Sequence, residues 1–180
     1  MKKLVAAMLC LALSLMCAVG LANEKLDPSE LQIGVIMIGD TSDMGFNYSH
    51  LVGLQEMQKN LGIEDHQITI LENVADDSTC ADAISELISN GCNVIIGNSF
   101  GFQTYMYEAA AQHPEVLFCH YSGLLQNDTN FCRFNARNYQ TRYLQGIAAA
   151  MRSESGKIGF VGAFKNAEVN VSLNAYALGA

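Results

Sequence analysis

Gln32-Ile33-Gly34-Val35-Ile36-Met37-Ile38-Gly39 is the stretch that decides the fold. Ile33 to Ile38 is apolar and rich in β-branched residues, without polar alternation, and it ends at the polar segment Gly39 to His50. Such a run reads as a strand covered on both faces. Outward from it the same alternation repeats. Leu51, Leu54, Met57 and Leu61 recur at helical spacing and stop at Gly62, and Ile68 to Val74 predicts the next strand. Ala81, Ile84, Leu87 and Ile88 predict a second helix, opened by Ser78 or Thr79 as N-cap and closed by Gly91. Asn93 to Gly97 predicts a third strand. Tyr105, Met106, Ala109 and Ala110 mark a third helix ended by His113-Pro114, and Val116 to Tyr121 a fourth strand. Asn130 to Phe134 follows as a fifth strand, and Tyr143, Leu144, Ile147, Ala148 and Met151 give a fourth helix. Continuous apolar strands separated by helices predict a doubly wound α/β domain with a parallel sheet.

Ser153-Glu154-Ser155-Gly156 is a polar boundary, after which Lys157 to Ala163 predicts a sixth strand and Glu168 to Leu178 a helix. One strand and one helix cannot bury their own apolar faces. Residues 31–155 are therefore expected to form one α/β lobe and residues 156–180 the incomplete start of a second. At the other end, Met1-Lys2-Lys3 precedes the apolar run Leu4 to Leu15 and the small residues around Gly20-Leu21-Ala22, the three-part layout of a secretory signal over residues 1–22. Cleavage is expected after Ala22. The run is short for a membrane span of about 20 residues, and a retained anchor is the alternative. Lipidation at Cys17 is disfavoured because Met16, just before it, is not small. On each of these readings the protein works outside the cytoplasmic membrane.

With 50% hydrophobic and 16% charged residues and only 2 prolines in 180, the chain is that of a folded globular protein. Its formal charge is -8, and Lys2 and Lys3 lie in the expected leader, so the remainder is more acidic still. Lys and Arg never cluster beyond two residues, which argues against a nucleic-acid partner or a polybasic membrane contact. Four cysteines lie beyond the leader: Cys80, Cys92, Cys119 and Cys132. The chain has no C-x-x-C pair to suggest zinc or thioredoxin chemistry. Cys80 and Cys92 fall at opposite ends of one helix, about 18 Å apart and too far to bond. Cys119 and Cys132 lie on strands that could be neighbours, and small buried thiols are the expectation.

In an open parallel sheet ligands bind beyond the carboxyl ends of the strands, which directs attention to the loops. Gly39 to His50 is polar, carries Asp40 and Asp43, and enters a helix through Phe46, Asn47 and Tyr48. It lacks the G-x-G-x-x-G spacing that wraps a pyrophosphate, and its aspartates would repel one. Carboxylates beside aromatics suit an uncharged ligand with hydroxyls and a flat ring; Asp43 as a plain helix cap and Phe46 as core are the alternative. Asn98-Ser99-Phe100-Gly101-Phe102 is a second polar and aromatic turn, with Phe102 readable as core. Arg142 is expected to form a structural ion pair with Glu108 or Asp128, and His120 to be a satisfied buried histidine. The histidines His50, His66, His113 and His120 are scattered and H-E-x-x-H does not occur; Gly97-Asn98-Ser99-Phe100-Gly101 fits the G-x-S-x-G spacing, but a nucleophilic serine also needs a positioned His and acid that no motif supplies, so catalysis and metal binding have little support.

The runs Ile33-Gly34-Val35-Ile36, Glu72-Asn73-Val74, Ser99-Phe100-Gly101-Phe102, Asn135-Ala136-Arg137 with Tyr139 and Arg142-Tyr143, Gly159-Phe160-Val161, Glu168-Val169, and Asn174-Ala175 with Leu178-Gly179-Ala180 closely resemble the basic membrane protein family. These are extracytoplasmic substrate-binding proteins of ABC transporters, linked to uptake of purine nucleosides or bases. The resemblance implies a type I periplasmic-binding-protein fold with its second lobe truncated here, a ligand held between two α/β lobes, and closure that signals to the ABC permease and ATPase subunits. It implies no catalysis and neither cofactor nor metal. It places Phe46 where an aromatic stacks on the purine, Asn47, Tyr48 and His50 in the same loop, Ser99 and Phe100 in the second, and Glu168 and Asn174 on the second lobe facing the cleft. Gln103-Thr104-Tyr105 stands where relatives often carry Met-Asp-Pro, Lys165-Asn166-Ala167 replaces a Pro-rich turn, and Leu51 sits where an acidic residue is common. These departures bear on the ligand more than on the fold. The alternatives from other classes are a receptor lobe sensing another small polar solute and a nucleoside-processing enzyme.

Overall fold

A computed structural model describes residues 27–180, and the expected secretory leader, residues 1–22, lies outside the described residues. Five strands form one sheet: β1 (Ile33–Ile36), β2 (Ile68–Leu71), β3 (Val94–Gly97), β4 (Leu117–Tyr121) and β5 (Phe131–Phe134). The helices are α1 (Phe46–Leu61), α2 (Ser78–Ser89), α3 (Gln103–Gln112), α4 (Asn138–Arg152) and α5 (Ala167–Gly179). All strand pairs are parallel and the order is β2-β1-β3-β4-β5. The chain steps outward from β1 to β2, then returns to the far side of β1 with β3. The order reverses between β1 and β3, and that reversal opens a crevice at their carboxyl ends.

Alternation along the strands sorts side chains onto two faces. On one, Ile36, Ile95, Phe118 and Phe131 pack with Ile84 and Leu87 of α2, Met106 and Ala110 of α3, and Phe102 in the turn before α3. On the other, Ile33, Val35, Met37 and Val94 pack with Leu54 of α1 and with Ile63. Gly34 lets α2 approach this closely, since a Cβ there would lie 2.7 Å from Leu87 Cδ1. Helix ends follow local chemistry. Gly62, at φ +69°, takes the left-handed conformation that stops α1. The N-cap of α2 is Asp77 rather than Ser78 or Thr79. Its carboxylate accepts the Thr79 N–H at 2.9 Å, which puts Ser78 and Thr79 inside the first turn.

Beyond β5 one expectation fails and one helix lies apart from the sheet. Residues 157–163 form no strand, because none of the five strands lies beside them to exchange backbone hydrogen bonds. The apolar stripe of α4 is not covered by the sheet: Leu144 is 62% exposed and Met151 81%. The principal contact of α4 is with α5. At their crossing, a Cβ on Gly146 would strike the Tyr176 carbonyl oxygen and one on Gly179 the Tyr143 carbonyl oxygen, so the two backbones touch.

Candidate functional site

A cavity of about 800 Å³ opens at the carboxyl ends of β1, β3 and β4. One wall comes from the ends of the strands and the loops that follow: Gly39, Phe46 and Asn47 after β1, Asn98 to Gly101 after β3, Tyr121 at the end of β4 and Ser122 after it. The facing wall is the irregular segment Phe160 to Asn166 with the first turns of α5. The volume falls within the range of small-molecule sites.

A buried amide relay stitches the first wall together. Asn98 is 1% exposed. Its Oδ1 accepts the Ile38 N–H at 3.0 Å, and its Nδ2 donates to Asn47 Oδ1 at 2.9 Å. Asn47 Oδ1 also takes the Gly39 N–H at 3.3 Å, and Asn47 Nδ2 donates to Asp43 Oδ2 at 3.0 Å. The loops after β1 and β3 are thereby locked in one relative position, and an unmade bond in this relay would leave a buried polar group unpaired.

Two carboxylates border the cavity. The Ser99 hydroxyl donates to Asp76 Oδ2 at 3.0 Å, and Asp76 lies so close to Gly101 that any side chain there would collide with it. The Ser122 hydroxyl donates to Glu168 Oε2, joining the end of β4 to the first turn of α5. An ionised carboxylate offers about four lone-pair sites, so each retains capacity for ligand hydroxyl or amino groups. Arg142 and Lys165 line the same cavity.

Aromatic rings stand on both walls. Phe46, 44% exposed, meets His50 edge-on at 4.7 Å between centroids, and His50 meets Tyr121 at 4.7 Å in the same manner. Burial among these rings lowers the pKa of His50, which favours the neutral imidazole. Phe160 and Phe164 line the opposite side.

Of the residues singled out from the sequence, Phe46, Asn47, Ser99, Phe100 and Glu168 line the cavity together. Asp43 instead anchors the start of α1, accepting backbone N–H groups of Gly45 at 2.8 Å, Asn47 at 2.9 Å and Tyr48 at 3.0 Å. Those bonds hold its pKa down at about 2. Tyr48 and Asn174 are exposed and His50 supports Phe46 from behind; none of the three is a lining residue. Sequence reasoning did not single out Asp76, Tyr121 or Ser122. It included Asn98 in the turn after the third strand but gave it no role of its own, and it placed Arg142 in an ion pair. Arg142 Nη1 donates to Gln145 Oε1 at 2.8 Å instead. His120 is fully buried with only one ring nitrogen satisfied: Nε2 donates to the Ser99 carbonyl at 2.7 Å and Nδ1 has no partner. Among the described residues no group of three or more His, Cys, Asp or Glu side chains is placed to hold a metal ion. No helix among them is long and apolar enough to cross a membrane.

A family model described as "ABC transporter substrate-binding protein PnrA-like" matches residues 30–180. A purine-binding protein of Brucella abortus is 35% identical over 88% of this chain and 43% of its own length. A Haloferax volcanii protein named for glucose binding in an ABC transporter is 34% identical over 81% of this chain and 36% of its own. Among solved structures, a transcriptional activator of the comK gene from Bacillus halodurans superposes with a TM-score of 0.61 at 25% identity, covering 82% of this chain and 48% of that one. The chain thus spans less than half the length of each of these three proteins.

Proposed function

Because the chain belongs to the Bmp family of PnrA-like ABC transporter substrate-binding proteins, we propose that its cavity receives a purine nucleoside or purine base and that the whole protein delivers this solute to an ABC permease driven by its ATPase subunits. The family is one of binding proteins and not of enzymes. The observation that carries the ligand reading is the pairing of phenylalanines on both walls, Phe46 and Phe100 on the sheet side and Phe160 and Phe164 opposite, around the Asp76 and Glu168 carboxylates. Rings grip the flat faces of a base, each stack contributing about 1–3 kcal/mol by analogy with single-stranded nucleic-acid binding. Carboxylates accept from amino or hydroxyl groups at its edge. The purine-binding relative supports this reading.

In this reading residues 31–134 make the first lobe and the chain passes to the second at Asn135–Arg137, upstream of the boundary at 155 that the sequence suggests. The packing of α4 on α5 supports the shift. The leader pattern and the family support a place outside the cytoplasmic membrane.

The glucose-named relative supports the competing ligand, a sugar held by the same carboxylates. Calorimetry on the full-length protein with inosine, adenine and glucose separates the two. Purine binding at micromolar Kd or tighter is expected, and saturable binding of glucose with no purine signal would overturn the assignment.

A further inference from the structure

Two of the four cysteines among the described residues face each other. β4 and β5 run parallel in a register that pairs Cys119 with Cys132. Side chains at paired positions leave a sheet on the same side, and neighbouring strands lie about 4.8 Å apart, inside the Cα–Cα span of about 4.4–6.8 Å that a disulfide bridges. The Cys132 thiol donates to Cys119 Sγ at 3.4 Å, and both are free thiols in this structure. Cys80 and Cys92, by contrast, are both buried, the first in the opening turn of α2 and the second beyond its C-cap. We infer that Cys119 and Cys132 form a disulfide once the protein stands in an oxidising compartment, tying the edge strand β5 to β4.

Cys132 is exposed and Cys119 only partly so, which sets the order of events. The Cys132 thiolate attacks an external disulfide, that of a dithiol oxidase or of oxidised glutathione, forming a mixed disulfide and releasing one thiolate. The Cys119 sulfur then attacks Cys132 Sγ, loses its proton to solvent, and expels the second external thiol. Two electrons pass from the cysteine pair to the external disulfide, which ends as two thiols. Burial pushes the Cys119 thiol up to about 12, so it is a poor nucleophile toward a free oxidant. It suits the second, intramolecular step, where proximity compensates for scarce thiolate.

The closed loop would contain Tyr121 and Ser122, which line the cavity, and β5 runs on into Asn135–Arg137 before α4. The bond would therefore brace the sheet edge from which the facing wall departs, whatever ligand the cavity takes. It would also pin a strand that otherwise ends the sheet with one side unpaired.

The test uses the full chain exported to an oxidising compartment, quenched in acid, alkylated without reduction, and cleaved after Glu115 and before Asp128 so that the two cysteines fall on separate peptides. A linked peptide pair carrying Cys119 and Cys132, dissolved by reductant, is expected, together with a thermal midpoint that drops by several degrees on reduction in the wild type but not in Cys132→Ser. Recovery of both cysteines as separately alkylated thiols, or a link from either to Cys80 or Cys92, would overturn the inference. The peptide readout needs no variant, so it decides the matter even if Cys132→Ser folds poorly.

Discussion

Helices α2 and α4 both carry an apolar stripe, yet they use it differently. α2 buries Cys80, Ala83, Ile84 and Leu87 against the sheet, whereas α4 buries only Gly146, and α5, which packs on it, buries nothing fully. The first arrangement draws its stability from side chains removed from water. The second rests on two backbones in contact, with most of its large apolar side chains still exposed. One region should be sensitive to side-chain removal and the other to side-chain addition.

The sharpest way to test the contrast is Leu87→Ala. Leu87 is fully buried, and its truncation should cost about 2–5 kcal/mol in denaturant unfolding. A loss below about 1 kcal/mol would mean that this face is loosely packed and would remove the contrast. Next comes Gly146→Ala, where the added methyl meets a backbone carbonyl that cannot rotate away. An overpacking cost of about 1–3 kcal/mol is expected. Hydrogen exchange should show it as lost protection in α4 and α5, with the amides of β1 and β3 unchanged. Loss of protection across the sheet as well would show that the two regions unfold as one.

Phe46→Ala probes the seam between the regions. Purine affinity in the full-length protein should fall at least tenfold, about 1.4 kcal/mol. Stability should stay within about 0.5 kcal/mol because the ring is substantially exposed. Unchanged affinity by calorimetry would take Phe46 out of the site. The smallest effect concerns pH. The His50 pKa lies below its ordinary value of 6.5 through burial. The unfolded chain therefore takes up a proton first as pH falls, and stability should decline below about pH 6.5. His120 is lowered for the same reason, so the informative quantity is the difference between the wild type and His50→Gln. The stability of the wild type relative to His50→Gln should be flat above pH 7 and fall on acidification toward pH 5; a pH-independent difference would show that His50 titrates as it does in the unfolded chain.

Much of this architecture is legible in the sequence. Ile33 to Ile38, Asn93 to Gly97 and Val116 to Tyr121 announce buried parallel strands through runs that are apolar but for Asn93 and His120, and the loops after them do border the cavity. Phe46, Asn47, Ser99 and Phe100 sit in polar loops with out-of-place aromatics, which drew attention to those loops, and the family resemblance named the residues. Asp76 could not. It lies in the link after β2, which comes over the site only because of the order β2-β1-β3, and no local pattern marks an acid that will meet Ser99 and Gly101. The segment Lys157 to Ala163 failed in the opposite sense: its residues suit a strand, but a strand exists only beside a neighbour.

The amino-acid sequence alone determined the five strands of the sheet and the order of helices between them, and that the chain is an acidic α/β protein with polar, aromatic loops. Those properties follow from residue period, turn chemistry and charge, which act over a few neighbouring residues. Only the tertiary structure decided which apolar faces are covered, that Cys119 stands in register with Cys132, and that Asp76 and Glu168 border one cavity. Such pairings join residues far apart in the chain, and their choice depends on packing and sheet order that no local window contains.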